Sequence, residues 1–182
     1  MSLIPVFEIG VWNAWILTTF LFLFILLSGL LPKDIGKRIA PAKEVKKTNN
    51  IMLIVFFTMI IYSIFLPLKP GTIWLYAGLT VYLLGFIISI AALFSIAVTK
   101  PGEPFTNGMY RYSRHPIALS TLLPFIGAGK ASASWLFLLL STILIVISHF
   151  LAITEESATA KKFGDAYKEY IARTPRWIGI PK

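Results

Sequence analysis

Apolar runs separated by short polar stretches organise this 182-residue chain. The first run, Val11 to Leu31, carries no charge. A helical residue rises about 1.5 Å, so ~20 such residues cross the ~30 Å hydrocarbon core of a bilayer. Glu8 precedes the run, and the run is too long for the apolar part of a cleavable leader, so it reads as a span. Ile51 to Leu68 is the second span, and Ile73 to Val98 the third, long enough to tilt or protrude. A fourth apolar stretch, Ile117 to Ile153, is broken by GAGKASAS at Gly127 to Ser134. The break predicts a hairpin of a short fourth segment, Pro116 to about Gly127, and a fifth from Trp135 to about Ile153. The fourth is too short to cross untilted, so it is expected to be embedded against its neighbours, where protein or water satisfies its ends. Further on, Phe163, Tyr167, Tyr170 and Ile171 recur at helical spacing with lysines largely off the stripe. That pattern predicts a short amphipathic helix lying on the membrane surface, ended by Thr174 and Pro175. The expected fold is all-α: a polytopic membrane protein of about five transmembrane segments with a C-terminal amphipathic cytoplasmic helix. Residues 1–182 form one integral membrane domain, with three N-terminal spans in 1–98 and a polar-ended core in 99–182.

Composition agrees and narrows the choice. Apolar residues make up 57% of the chain and charged ones 14%, about half the share usual in soluble domains. A disordered chain is excluded by that hydrophobicity. The absence of cysteine excludes a disulfide scaffold, thiolate zinc sites, iron–sulfur clusters and cysteine nucleophiles. With only two histidines, a metal site is not expected either. The net charge of +9 suggests an anionic partner until it is laid along the spans. Fifteen of the 17 basic residues then fall in the 32–50 connection, the 99–115 connection or the tail after Ile153, all on one side; Lys69 and Lys130 lie opposite. The charge therefore reports orientation, with the N-terminus outside and the C-terminus cytoplasmic, and contact with anionic headgroups rather than nucleic acid. No charged residue lies near the centre of a span, and no broken segment is duplicated, which weighs against a proton-coupled or inverted-repeat transporter.

Polar chemistry gathers on the basic side at two places. In Thr106 to Ser120, TNGMYRYSRHPIALS, two tyrosines, two arginines and His115 precede Pro116, a residue suited to the first turn of a helix. Tyrosine and arginine also serve as plain interfacial anchors. Glu155 and Glu156 are two acids set against the basic trend where the fifth span ends. Adjacent helical residues point about 100° apart, so these two are expected to meet different partners. His149 lies seven residues before Glu156, on the same face. Arg176 and Trp177 follow the last helix as a cation and an interfacial anchor. Walker, GxGxxG and GxSxG motifs are absent.

GMYRYSRHP followed by TEESATAKKFGDAYKEYIARTPRWIG resembles the integral membrane methyltransferases of the isoprenylcysteine carboxyl methyltransferase and phospholipid methyltransferase family. The family pattern is met by Gly108, Tyr110, Arg114, His115 and Pro116, then Glu155 and Glu156, then Phe163, Gly164, Tyr167 and Tyr170, then Pro175, Arg176 and Trp177. Order and spacing agree over roughly the last 80 residues. The pattern's tyrosine after Arg-His-Pro is Ala118 here, its small glycine is Ser120, and its leucine after the acids is Thr159, so the acceptor does not transfer with the resemblance.

The resemblance implies S-adenosylmethionine as cofactor, making 99–182 a cofactor-binding methyltransferase core. Tyr110, Arg114, His115, Pro116, Glu155, Glu156 and Tyr167 are the cofactor-binding candidates. Either acid suits the cofactor's amine and Arg114 a carboxylate, by charge-assisted bonds. His115 and Tyr110 suit hydrogen bonds around the ribose and carboxylate, and tyrosine faces suit the sulfonium. Arg114 is expected to orient the acceptor, and Glu156 or His115 to serve as base if the acceptor arrives protonated; Arg114 and Glu156 are the catalytic candidates. The implied partners are membrane lipids and a lipophilic acceptor, whether a lipid, a prenylated chain or a small hydrophobic molecule. Two other readings remain open at this point. An NADPH-dependent membrane reductase of the sterol reductase type shares this C-terminal pattern, but its cofactor phosphate would suit an acidic pair poorly. A non-catalytic scaffold or carrier would need no polar cluster on one side.

Overall fold

The computed structural model describes residues 8–19, 21, 46–100 and 102–181. Five α-helices follow one another in the described chain from residue 46: α1 (Lys46–Ser63), α2 (Ile73–Val98), α3 (Pro116–Ala131), α4 (Trp135–Phe163) and α5 (Asp165–Arg173), with a 3₁₀ turn at Gly108–Arg111. Of the first predicted span, residues 11–14 form a turn with an isolated bridge and 15–19 are helical; residues 20 and 22–31 lie outside the described residues, as does most of the basic 32–50 connection. Two helices, α2 and α4, are long and apolar enough to cross a membrane, and two shorter apolar stretches, Asn50–Ser63 and Pro116–Ala131, accompany them.

The second predicted segment ends earlier than its hydrophobicity suggests, at Ser63 rather than Leu68. Residues 64–68 turn away to pair with the chain before residue 15. Asn13 Nδ2 donates to Ile64 O at 2.7 Å. Ala14 N donates to Leu66 O at 2.8 Å and Leu68 N to Trp12 O at 2.9 Å, around an isolated bridge between Asn13 and Pro67. Pro67 has no N–H to continue a helix. The Thr18 and Ser63 hydroxyls, 2.7 Å apart and buried, tie the same two segments together.

Helices α2 and α3 form the tightest pair, because their facing positions are small. A Cβ on Gly127 would fall 2.7 Å from Gly78 O and 2.8 Å from Tyr82 N, so the two backbones touch directly. Gly85 leaves the space that the Pro124 ring fills. Ser89 donates to Ser120 across the same seam at 3.1 Å. Small residues spaced by four bring helices into such contact. The Gly85 and Ser89 pair is thus spent on an internal contact rather than on a second chain. Phe125 of α3 meets Phe56 of α1 edge-on at 5.1 Å and stacks on Phe137 of α4, at the centre of the core.

Two further boundaries differ from the expectation. The fourth segment runs to Ala131, four residues past Gly127, since its glycines pack against α2 and α4 instead of opening a loop. The break is only Ser132 to Ser134, and Ser134 caps α4 by accepting from Phe137 N at 3.2 Å. Helix α4 does not stop near Ile153. It continues unbroken through Glu155 and Glu156 to Phe163 and ends at Gly164, whose φ of 62° suits glycine. Phe163 therefore belongs to α4, and α5 keeps Tyr167, Tyr170 and Ile171 of the predicted stripe. Tyr167 and Tyr170 are buried against protein, so the stripe of α5 covers the polar cluster described below.

Candidate functional site

The two polar places seen in the sequence meet at one end of the bundle. Three stretches build the site: the turn and strap from Gly108 to Pro116, the extension of α4 around Glu155 and Glu156, and the tail from Thr174 to Gly179. Gly108 has a φ of 59° and lies against Ser95 of α2. Ser95 Oγ accepts from Met109 N at 2.9 Å, fixing the 3₁₀ turn to α2. The turn buries Tyr110 beside Ile96, Phe105 and Ile117. Pro116 takes the first position of α3, fully buried, and leaves Arg114 and His115 just outside the helix.

The tail clasps that strap by its backbone. Arg114 N donates to Pro175 O and Gly179 N to Tyr112 O, both at 3.0 Å. Ser113 Oγ donates to Arg176 O at 3.3 Å. From the other side Tyr170 of α5 donates its hydroxyl to Tyr110 O at 2.6 Å.

Glu156 is the hub. Its side chain is 8% exposed, and three other side chains reach it. Arg176 forms a fork, Nε to Oε1 and Nη2 to Oε2, both at 2.9 Å. Nε2 of His115 lies 3.1 Å from Oε1. Arg114 Nη1 lies 3.0 Å from Oε2. Donating these hydrogen bonds to Glu156 raises the Arg176 guanidinium above its ordinary value. Glu155, one residue earlier, points elsewhere. It is 38% exposed, and its nearest ionic neighbour is His115 Nδ1 at 3.6 Å. The expectation that the two acids meet different partners is met for the arginines, which both go to Glu156, but not for His115, which lies between the two acids and reaches both.

Arg114 is 10% exposed, and its Nε and Nη1 are buried without a hydrogen-bond partner among the described residues. Nη1 is close enough to Glu156 for charge attraction but off the line of a hydrogen bond. Buried donors of this kind are costly unless something accepts from them. Tyr110, Tyr167 and Tyr170 surround the cluster. Burial raises all three phenols, Tyr167 to about 12, with nearby Glu155 adding to the rise at Tyr110 and Glu156 to that at Tyr167 and Tyr170. They are neutral hydroxyls at physiological pH.

All seven predicted binding residues thus lie at this end of the molecule. Reasoning from the sequence left Arg176 out of the site, since a cation after a helix-ending proline has no local acid to pair with. It also left out Tyr170, whose hydroxyl bond closes only in space. His149 and Trp177 join as well: Trp177 Nε1 donates to His149 Nδ1 at 3.4 Å, and the indole lies 6.2 Å from both the His115 and His149 rings. Among the described residues no group of His, Cys, Asp and Glu is arranged to hold a metal ion.

The family model described as phospholipid methyltransferase matches residues 73–166, from the start of α2 through the acidic pair to the first turn of α5. Comparison with curated proteins gives no match.

Proposed function

The chain belongs to the phospholipid methyltransferase family, a family of membrane methyltransferases, and from this we propose that it moves a methyl group from S-adenosylmethionine to a lipophilic acceptor held in the bilayer at the cytoplasmic face. The observation that carries the reading is Arg114: a buried guanidinium with two donors that no described residue uses, in the same cluster as the accessible carboxylate of Glu155, to which it is linked through Glu156 and His115. A ligand bearing a carboxylate and an ammonium on one carbon satisfies both, and the amino-acid end of S-adenosylmethionine is such a group. The fit is therefore to the donor set itself.

The cofactor, when bound, supplies a methyl group activated by its sulfonium. The remaining work belongs to the chain. Arg114 receives the carboxylate through Nε, and Glu155 receives the amine. Glu156 is a positioning residue: with both oxygens engaged, it holds Arg114, His115 and Arg176 in register. Tyr110 and Tyr167 present ring faces and neutral hydroxyls, suited to a cation and to a ribose. Pro116 fixes where α3 begins and so where His115 stands. Direct displacement needs alignment and little water, and alignment alone can supply ~7–11 kcal/mol in favourable cases. An anionic acceptor needs no base. For an ammonium acceptor His115, between the two acids, is placed to take the proton.

One domain, 1–182, carries these parts, with 1–98 supplying three spans and 99–182 the cofactor-binding core. The positive charge of the connections and tail supports a cytoplasmic site, where a water-soluble cofactor and a bilayer-held acceptor can meet.

Binding of radiolabelled S-adenosylmethionine to detergent-solubilised protein tests the proposal. Saturable binding that Glu155→Gln weakens is expected. Absence of binding together with saturable NADPH binding overturns it in favour of a reductase. Methyl transfer from labelled cofactor into a lipid extract, read by mass spectrometry, identifies the acceptor.

A further inference from the structure

We propose that His149 is a positioning residue for the acceptor, donating a hydrogen bond from Nε2 to an anionic oxygen on the acceptor's head. The inference rests on the methyltransferase reading and adds to it the side of the site that faces lipid.

His149 lies on α4 seven residues before Glu156, so on the same face and about 10 Å deeper along the helix axis. It sits at the margin of two stripes. Ser148, Leu151 and Ala152 beside it are buried in protein, whereas Val146, Phe150 and Ile153 are exposed on the apolar surface. A half-buried imidazole at that level is costly unless its polar atoms are used. Only one of them is used within the described chain. Nδ1 accepts from Trp177 Nε1 at 3.4 Å, and the two rings stack at 29°. An indole N–H only donates, so Nδ1 is the acceptor nitrogen and the neutral ring carries its proton on Nε2. Nε2 has no hydrogen-bond partner among the described residues. The tail thus sets the tautomer of His149 and leaves one N–H without a partner among the described residues, at the margin of the exposed apolar surface.

Trp177 also ties this N–H to the polar cluster. Its ring lies 6.2 Å from both the His149 and the His115 rings, and Arg176 next to it is forked onto Glu156. A polar track therefore runs from the accessible Glu155 through His115 and Trp177 to His149. A donor at the deep end suits a lipid head with an anionic oxygen, a carboxylate or a phosphate. It does not suit an alkylammonium, which has nothing to accept with.

The chain has two histidines, which makes the test direct. Full-length protein with ring-15N-labelled histidine, in detergent, is titrated with laurate, dodecyl phosphate and dodecylamine. His149→Gln assigns the resonances by loss. One neutral ring with an unprotonated Nδ1 is expected, and its Nε2 signal should move saturably with laurate or dodecyl phosphate and not with dodecylamine. The tighter of the two anions names the headgroup chemistry. Trp177→Phe keeps the stack and removes the donor, so it should raise the half-saturating concentration about ten-fold. An Nε2 signal that none of the probes moves, or that dodecylamine moves equally, overturns the proposal. Binding of labelled S-adenosylmethionine in the same samples separates the two readings. Lost cofactor binding with a retained His149 response refutes the methyltransferase, and the converse refutes only the role of His149.

Discussion

Glu155 and Glu156 are chemically identical neighbours, yet their replacement by glutamine should fail in different ways. Glu156→Gln removes a charge that is 8% exposed and faces Arg114, His115 and Arg176 within 3.1 Å. The amide keeps one acceptor oxygen and turns the other into a donor aimed at guanidinium donors. Arg114, 10% exposed, is left without its counter-charge. Breaking one side of a buried, hydrogen-bonded ion pair costs about 3–5 kcal/mol. The 29% exposure of Arg176 lets water repay part of its share, so about 3 kcal/mol is expected here. Glu155→Gln removes a charge that is 38% exposed, with one ionic neighbour at 3.6 Å, and should cost below about 1 kcal/mol. The assay is thermal unfolding in one detergent, followed by cofactor binding at a temperature where both variants are folded. Glu156→Gln should lower the midpoint clearly; Glu155→Gln should leave it nearly unchanged while weakening cofactor binding. A double-mutant cycle of Glu156→Gln with Arg176→Gln should return a coupling of about 1–3 kcal/mol. Equal midpoints for the two variants, or a larger fall for Glu155→Gln, would refute the assignment of Glu156 as hub and Glu155 as open acid.

Further outcomes follow from the packing and the tyrosines. Tyr170→Phe deletes the 2.6 Å bond to Tyr110 O and leaves that carbonyl unpaired, at a cost of about 1–3 kcal/mol by the same unfolding assay. Gly127→Ala forces apart backbones that a Cβ would meet at 2.7 and 2.8 Å, and should destabilise the protein by about 1–3 kcal/mol, whereas Gly71→Ala, with open space around it, should show only the strain of its φ of 72°. Tyr167 has its phenol raised from 10.0 to about 12 by burial, with Glu156 adding to the rise. A group raised on folding stabilises fully below its unfolded value and loses that contribution as pH climbs through its folded one, so alkaline midpoints should fall between pH 10 and about 12, and less steeply in Tyr167→Phe. Arg114→Lys retains the charge but loses the Nε donor, so it should weaken S-adenosylmethionine binding more than it lowers the unfolding midpoint.

Much of the molecule was legible in order of residues alone. Apolar runs locate helices because a bilayer or a helical core demands them, and α2 begins and ends where its hydrophobicity does. The Arg-His-Pro strap, the acidic pair and the final tyrosines were legible because each residue type carries its chemistry wherever it lies. Helix ends were less so. Ser63, Ala131 and Phe163 are endpoints set by contacts: the bridge to Asn13, the glycine seam with α2, and a polar extension of α4 with partners waiting for it. Hydropathy does not contain those contacts. The sequence could say that Glu155 and Glu156 would part company, since adjacent helical residues diverge, but not which would be buried. That was decided when α5 and the tail folded back over the strap and brought Arg176 from 20 residues away onto Glu156. Pairing a charge across such a distance is a property of the closed fold, where desolvation makes each partner matter. The same closure gave His149 its tautomer and left Glu155 open.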